Sequence, residues 1–233
     1  MRQARRFYKI VSVTGELGIA LDGKPVKTPK KASLILPTRA LAEAIAEEWA
    51  GQGEKLIPAT MPLTKLANTA IDRVGAERPR ILAEMVDYAA SDLVCYRAGR
   101  PQGLVARQAT HWNPVIDWAL TALDAPFKVT LGVVHRPQPP EALHAIAGVI
   151  AAMDEYEIAA LYTIMTITGS MLITLMLAHG ALAADAAWAA AHVDENFQIE
   201  NWGEDAEATA RRAARHKEFV SCCRFVELCR EGI

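Results

Sequence analysis

Four cysteines in a chain of 233 residues are too few for the disulfide framework of a small secreted scaffold. They stand at Cys95, Cys222, Cys223 and Cys229 with no C-x-x-C spacing, and no H-E-x-x-H occurs among the six histidines. No zinc or dithiol motif is therefore written in the chain, and no metal is expected. A G-x-S-x-G nucleophile elbow is also missing. Neither sign of charge is in excess, with 25 Lys and Arg against 27 Asp and Glu. A chain so close to neutral has no basic field to attract nucleic acid or an anionic membrane. Internal repeats and low-complexity linkers are absent. Three arginines fall in the first six residues, but the apolar stretch behind them is short and interrupted by Lys9. A signal peptide needs a longer apolar core.

What is abundant is apolar. Hydrophobic residues make up 52% and charged residues 22%, enough to build a sizeable core. The most apolar run, IAALYTIMTITGSMLITLMLAHGAL at 158–182, contains no Asp, Glu, Lys or Arg. Its length is that of a membrane span. Against that, Thr163, Thr166, Ser170 and Thr174 recur at three- or four-residue spacing, Gly169 and Ser170 sit mid-run, and no Lys/Arg cluster flanks it. These features predict a helix buried on most sides at the centre of a helical domain.

The first sixty residues read as β. Segments 6–13, 18–21, 24–27 and 33–36 are short and alternating or β-branched, and Asp22-Gly23 is a two-residue hairpin signal. The same stretch, GIALDGK at 18–24, approaches a phosphate-binding loop. Pro25 stands where that loop needs a hydroxyl for magnesium, and a hairpin offers no helix N-terminus to phosphate. No nucleotide binding is expected.

From residue 38 the period becomes helical. Leu41, Ile45 and Trp49 mark one helix, and 56–62 reads as an extended linker. Leu63, Leu66, Ala70, Ile71 and Val74 mark a second helix, and Ile81, Met85, Ala89 and Leu93 a third. After a loop at 99–103, Thr110 is the expected cap of a helix carrying Trp112, Trp118 and Leu120. Segment 127–134 alternates like a strand, and Pro139-Pro140-Glu141 opens another helix. The apolar run, 183–199 and a helix over 205–231 closed by Gly232 complete the chain. The fold class is α+β. A small β-rich N-terminal domain at 1–60 precedes a mainly α-helical C-terminal domain at 61–233 with a buried central helix. Strand 127–134 is a candidate to rejoin the N-terminal sheet.

Two groups of polar residues stand out. Asp72, Asp87 and Asp92 lie on helical segments and read as a buried polar network or a solvated face. Trp49 and Asp72 are assigned structural roles. A small-molecule enzyme would need an acid such as Asp72 or Asp92 in a helical-domain cleft, and no paired catalytic motif accompanies them. The second group is DENFQIENWGED at 194–205, where Asp194, Glu195, Glu200, Glu204 and Asp205 interleave with Phe197, Ile199 and Trp202. Acids around aromatic anchors form a docking patch. The competing reading is a helix end, where the same acids cap one helix and start the next.

Eight short motifs occur in order: RFYK at 6–9, LDG at 21–23, KTP at 27–29, EW at 48–49, MPLT at 61–64, TAID at 69–72, DLVCYR at 92–97 and ENFQIENWG at 195–203. Together they resemble the F-type ATPase assembly chaperones that bind the free alpha subunit, over about 6–228. The resemblance implies a non-enzymatic protein without cofactor, nucleotide or membrane insertion. It implies binding to the alpha subunit of the catalytic head, shielding of its beta-facing surface, and transfer to beta. The family fold is a β-rich N-terminal domain with a helical C-terminal domain. The family's acidic determinant maps onto Asp194 and Glu195, with Phe197, Gln198 and Trp202 alongside. Asn196 stands where members often carry a third acid. With no presequence before RFYK, a bacterial cytoplasmic protein is expected, or a processed mitochondrial matrix protein.

Overall fold

The Asp22-Gly23 pair turns the chain as its sequence predicts. The structure, a computed structural model, describes residues 5–203 and 205–231; Glu204 of the acidic cluster and the helix-closing Gly232 lie outside the described residues. Strands β1 (Val11–Val13), β2 (Ile19–Leu21) and β3 (Lys24–Pro25) form an antiparallel sheet in the order β1-β2-β3. Asp22 and Gly23 have φ of 48° and 78°, the left-handed pair that a two-residue hairpin requires. The Asp22 carboxylate accepts the N–H groups of Lys9 at 3.0 Å and Ile10 at 2.8 Å, which hold its carboxyl below the usual range. Segment 33–36 forms only isolated bridges, Gly18 with Ile35 and Lys27 with Ser33.

The chain divides into two compact units, the first comprising 1–78, 154–160 and 220–233. Besides the sheet it holds α1 (Arg39–Ala50) and α2 (Pro62–Thr69), the latter followed by a π-helical turn at Ala70–Val74. Thr38 caps α1 by accepting the Leu41 N–H at 3.2 Å. Leu41 and Ile45 are fully buried on the core face of α1, as their spacing predicts. Glu48 caps α2 from outside: its carboxylate accepts the N–H groups of Leu63 and Thr64, both at 2.8 Å, and the Thr64 hydroxyl at 2.7 Å. Burial nevertheless pushes the Glu48 carboxyl up, because those hydrogen bonds offset only part of the lost hydration. The expected linker at 56–62 contains a short 3₁₀ turn, Pro58–Thr60. Cys222, Cys223 and Cys229 are buried and outside any disulfide, and burial pushes the Cys223 thiol up to about 12. They serve as small core residues.

The second unit comprises 79–153 and 161–219. The chain enters it within α3 (Gly75–Ala90), beside the non-helical Glu77 and Pro79. Helix α4 (Gln102–Leu123) begins eight residues before Thr110, directly after Pro101. The Thr110 hydroxyl bonds back to the Ala106 carbonyl at 3.0 Å, so it is an interior residue and not the cap. Only Thr130–Leu131 of the alternating segment 127–134 is strand. This strand, β5, pairs in parallel with β4 (Tyr96–Arg97) and not with the N-terminal sheet. Helix α5 (Pro140–Ala151) follows its Pro-Pro-Glu signal.

The apolar run is two helices, α6 (Glu155–Thr168) and α7 (Met171–Ala178). Gly169 has φ of 71°, and Ser170 caps α7 by accepting the Ile173 N–H at 3.0 Å. A glycine in the left-handed region ends a helix, and a serine after it starts the next. Asp92 braces this break. Fully buried, it accepts the N–H of Leu172 at 2.9 Å and of Val94 at 3.1 Å. Burial raises its carboxyl to about 6, while Ser170 and the amides pull the other way. Among the described residues no helix is long and apolar enough to cross a membrane. Helices α8 (Ala184–Ala191), α9 (Val193–Trp202) and α10 (Ala206–Arg230) complete the chain.

Candidate functional site

Helix α9 sorts the acid-aromatic segment onto distinct faces. Residues 194, 197 and 201 share one stripe at i, i+3, i+7, and residues 195, 198 and 202 share the next. Both Asp194 and Glu195 lie in the first turn, where the helix N-terminus favours negative charge.

The first stripe is committed to the fold. Asp194 Oδ1 accepts the Gln108 side-chain N–H from α4 at 2.7 Å, and Gln108 Oε1 accepts the Ala98 N–H at 2.8 Å. Phe197 is half-buried. The Arg107 guanidinium lies 5.4 Å from its ring centroid, and a Cβ on Gly103 would stand 3.5 Å from its ring. Arg107 also forks onto Glu200 at 2.8 and 2.5 Å, which holds the Glu200 carboxyl below its ordinary value. Asn196 accepts a hydrogen bond from Arg212, and the Asn201 amide bonds the Phe197 carbonyl at 2.7 Å.

The second stripe faces outward. Gln198 is exposed, and Trp202 is 77% exposed, an unusual setting for the largest apolar side chain. Glu195 Oε2 stands 3.8 Å from His192 Nε2. His192 is buried, stacks on Trp188 at 3.8 Å between centroids and bonds the Trp188 carbonyl through Nδ1 at 2.8 Å. Burial lowers its pKa, so the imidazole is neutral near pH 7 and offers Glu195 no full positive charge there. At the far end Asp205 accepts the Ala208 N–H at 2.8 Å and caps α10. Helix-end capping thus accounts for Asp205 and, with Gln108, for the placement of Asp194. Glu195, Gln198 and Trp202 stand on the outward stripe, outside these contacts.

Trp49 and Asp72 belong to the first unit, where they line a groove of about 530 Å³ together with Pro29, Met61 and Asn68. Asp72 is pinned there: it accepts the Thr28 hydroxyl at 2.6 Å and the Lys30 N–H at 3.0 Å. Trp49 is half-buried, where its stripe with Leu41 and Ile45 predicts a buried ring, because the end of α1 emerges at the groove. Its ring meets Tyr8 edge-on at 5.7 Å, and Nε1 is buried without a hydrogen-bond partner. The other acid weighed for chemistry, Asp92, spends its carboxylate on the backbone around Gly169–Ser170. Among the described residues no group of three or more His, Cys, Asp or Glu is placed to hold a metal ion.

Sequence reasoning missed Arg107 and Gln108, the α4 residues that divide the two stripes. Their one sequence signal is a position just before Thr110, the expected cap of that helix.

A family model described as ATP12 chaperone protein matches residues 5–120. The fold matches the crystal structure of Atp12 from Paracoccus denitrificans with a TM-score of 0.93 and 41% identity, covering 97% of this chain and 99% of that one. A mutant of the Paracoccus denitrificans protein with an aspartate replaced by lysine matches with the same TM-score of 0.93 over 98% of its chain. Protein Atu1473 from Agrobacterium tumefaciens is 43% identical, with a TM-score of 0.90 over 96% of this chain and 85% of that one. The mitochondrial protein atp12 of Schizosaccharomyces pombe is 23% identical over 219 residues, covering 85% of this chain and 74% of that protein.

Proposed function

The chain belongs to the ATP12 chaperone family, and from that membership we propose that it is an assembly chaperone of the F-type ATP synthase catalytic head. It binds the unassembled alpha subunit, covers the surface that beta later occupies, and passes alpha to beta. The eight ordered motifs support this choice of client. The observation that carries the docking site is the outward stripe of Glu195, Gln198 and Trp202 on α9, an acid and an exposed indole on a helix braced from behind by Gln108 and Arg107.

The physics suits a holder. An unassembled subunit exposes an apolar interface that aggregates at cellular concentrations. A chaperone that must later let go needs a few anchors in a polar rim and no large apolar face. Trp202 supplies the anchor and Glu195 the rim charge. Release follows when beta competes for the same surface, a step that needs neither nucleotide nor cofactor. With bacterial relatives and a mitochondrial one, we place the protein in the bacterial cytoplasm or its descendant compartment, the mitochondrial matrix.

The test is size-exclusion chromatography of the purified chain mixed with separate alpha, separate beta and the assembled head. The chain should co-elute with alpha alone. Equal retention by alpha and by the assembled head contradicts the competition between chaperone and beta.

A further inference from the structure

A second surface lies in the same helical unit and is lined by none of the α9 residues. A groove of about 620 Å³ is lined by Glu84, Asp87 and Tyr88 of α3, by Tyr96 of β4, and by Tyr162 and Met165 of α6. Two carboxylates and three phenol rings thus share one depression. Glu84 is already engaged, by Arg80 at 2.6 Å and by the Tyr162 hydroxyl at 3.1 Å. Asp87 is exposed at the rim. Tyrosine rings attract cations through their faces, and a carboxylate beside them completes the setting for a guanidinium or ammonium group.

An apolar ridge adjoins the groove through Tyr96. The Tyr96 backbone pairs with Thr130 of β5, and its hydroxyl bonds His135 at 3.0 Å. Between these two points the chain exposes Leu131 (73%), Val133 (92%) and Val134 (74%), with Val129 beside them. The sheet has two strands, so the far edge of β5 carries no strand among the described residues. Four exposed aliphatic side chains thus fall within six residues of chain. An acidic, phenol-lined groove next to an aliphatic ridge is complementary to a segment with the opposite order of chemistry.

We propose that this surface holds a client segment in which an arginine or lysine is flanked by aliphatic residues. The cation enters the groove between Asp87 and the tyrosine rings, and the flanking side chains cover Leu131, Val133 and Val134. It rests on the reading that the chain is a client-holding chaperone, and it gives that chaperone a second grip on its client.

The test does not depend on which client is held. The ¹⁵N-labelled full chain is titrated with acetyl-Leu-Arg-Leu-amide and, separately, with acetyl-Leu-Glu-Leu-amide, following amide shifts by NMR. The arginine peptide should give saturable shifts at Tyr88, Leu93, Tyr96 and Leu131, and the glutamate peptide none. Asp87→Lys and Val133→Asp, both at exposed positions, should each weaken the arginine peptide at least tenfold with melting unchanged. Absence of saturable shifts, equal affinity for the two peptides, or wild-type affinity in both variants overturns the proposal. If the peptide binds as stated while alpha does not bind the chain, this surface stands and the alpha-subunit reading fails. If alpha binds and the peptide does not, the reverse holds.

Discussion

Gln108 on α4 donates to Asp194 on α9 across 86 residues of sequence, and this bond gives two adjoining acids different surroundings. Asp194 is turned inward and fixed by a nearly fully buried amide. Glu195, one residue later, stays half-exposed on the stripe that also carries Gln198 and Trp202. The resemblance that brought Asp194 and Glu195 forward as a pair does not divide them; the geometry does.

Asp194→Ala should therefore act on stability. It strips the Gln108 side-chain N–H of its acceptor in a buried setting, which costs about 1–3 kcal/mol. Urea unfolding followed by circular dichroism reads this directly. The folded fraction should still bind alpha within a few-fold of wild type. Unchanged unfolding with lost binding would move Asp194 into the contact surface.

Asp92 gives a pH dependence with a definite sign. Its folded carboxyl is raised from 3.8 to about 6, chiefly by burial. The folded state then holds a proton that the unfolded state has released. The contribution is complete below about pH 3.8 and is lost as pH rises through about 6. That gap corresponds to about 3 kcal/mol by order of magnitude. Compared with Asp92→Asn, wild type should gain stability as pH falls from 7 to 5, other titrating groups cancelling in the difference. Parallel pH profiles for the two proteins would place the Asp92 carboxyl near its ordinary value.

Trp49 separates ring packing from hydrogen bonding. Its Nε1–H is buried without a partner, so Trp49→Phe removes an unpaired donor and should change stability by less than about 1 kcal/mol. Trp49→Arg loses the edge contact with Tyr8 and brings a charge to the groove wall, at a cost of about 2–4 kcal/mol. Half-exposure lets the guanidinium reach water, so the full penalty of a buried charge does not apply. Thermal melting of both variants checks the order. A Phe variant as damaged as the Arg variant would mean that the indole N–H has a partner.

Local chemistry made much of this fold legible. Asp22-Gly23 wrote its own hairpin, and the spacing of Leu41 and Ile45 their burial. The errors fall where local signals had two uses. Gly169-Ser170 in the middle of an apolar run fits a single buried helix, whereas glycine at positive φ followed by a capping serine divides the run. Gly103 carries a loop signal that hides the first two turns of α4 and with them Arg107 and Gln108. The alternation at 127–134 marked a strand, but its partner at Tyr96–Arg97 lies too far away in sequence for any local pattern to indicate. Family resemblance located the acidic segment. The contacts of Gln108 and Arg107 then separate the residues of α9 held against α4 from those on its outward stripe.

The most direct test compares wild type with Glu195→Lys in a titration of purified alpha subunit, with melting recorded for each. The side chain of Glu195 carries no fold-defining hydrogen bond among those described, and its 3.8 Å neighbour His192 is neutral near pH 7. The account requires Glu195→Lys to melt within a few degrees of wild type and to bind alpha at least thirtyfold more weakly, as expected when a charge reversal meets a complementary interface, about 2 kcal/mol or more. Wild-type affinity for alpha in a fully folded Glu195→Lys protein would contradict it, and the outward face of α9 would no longer be the docking surface.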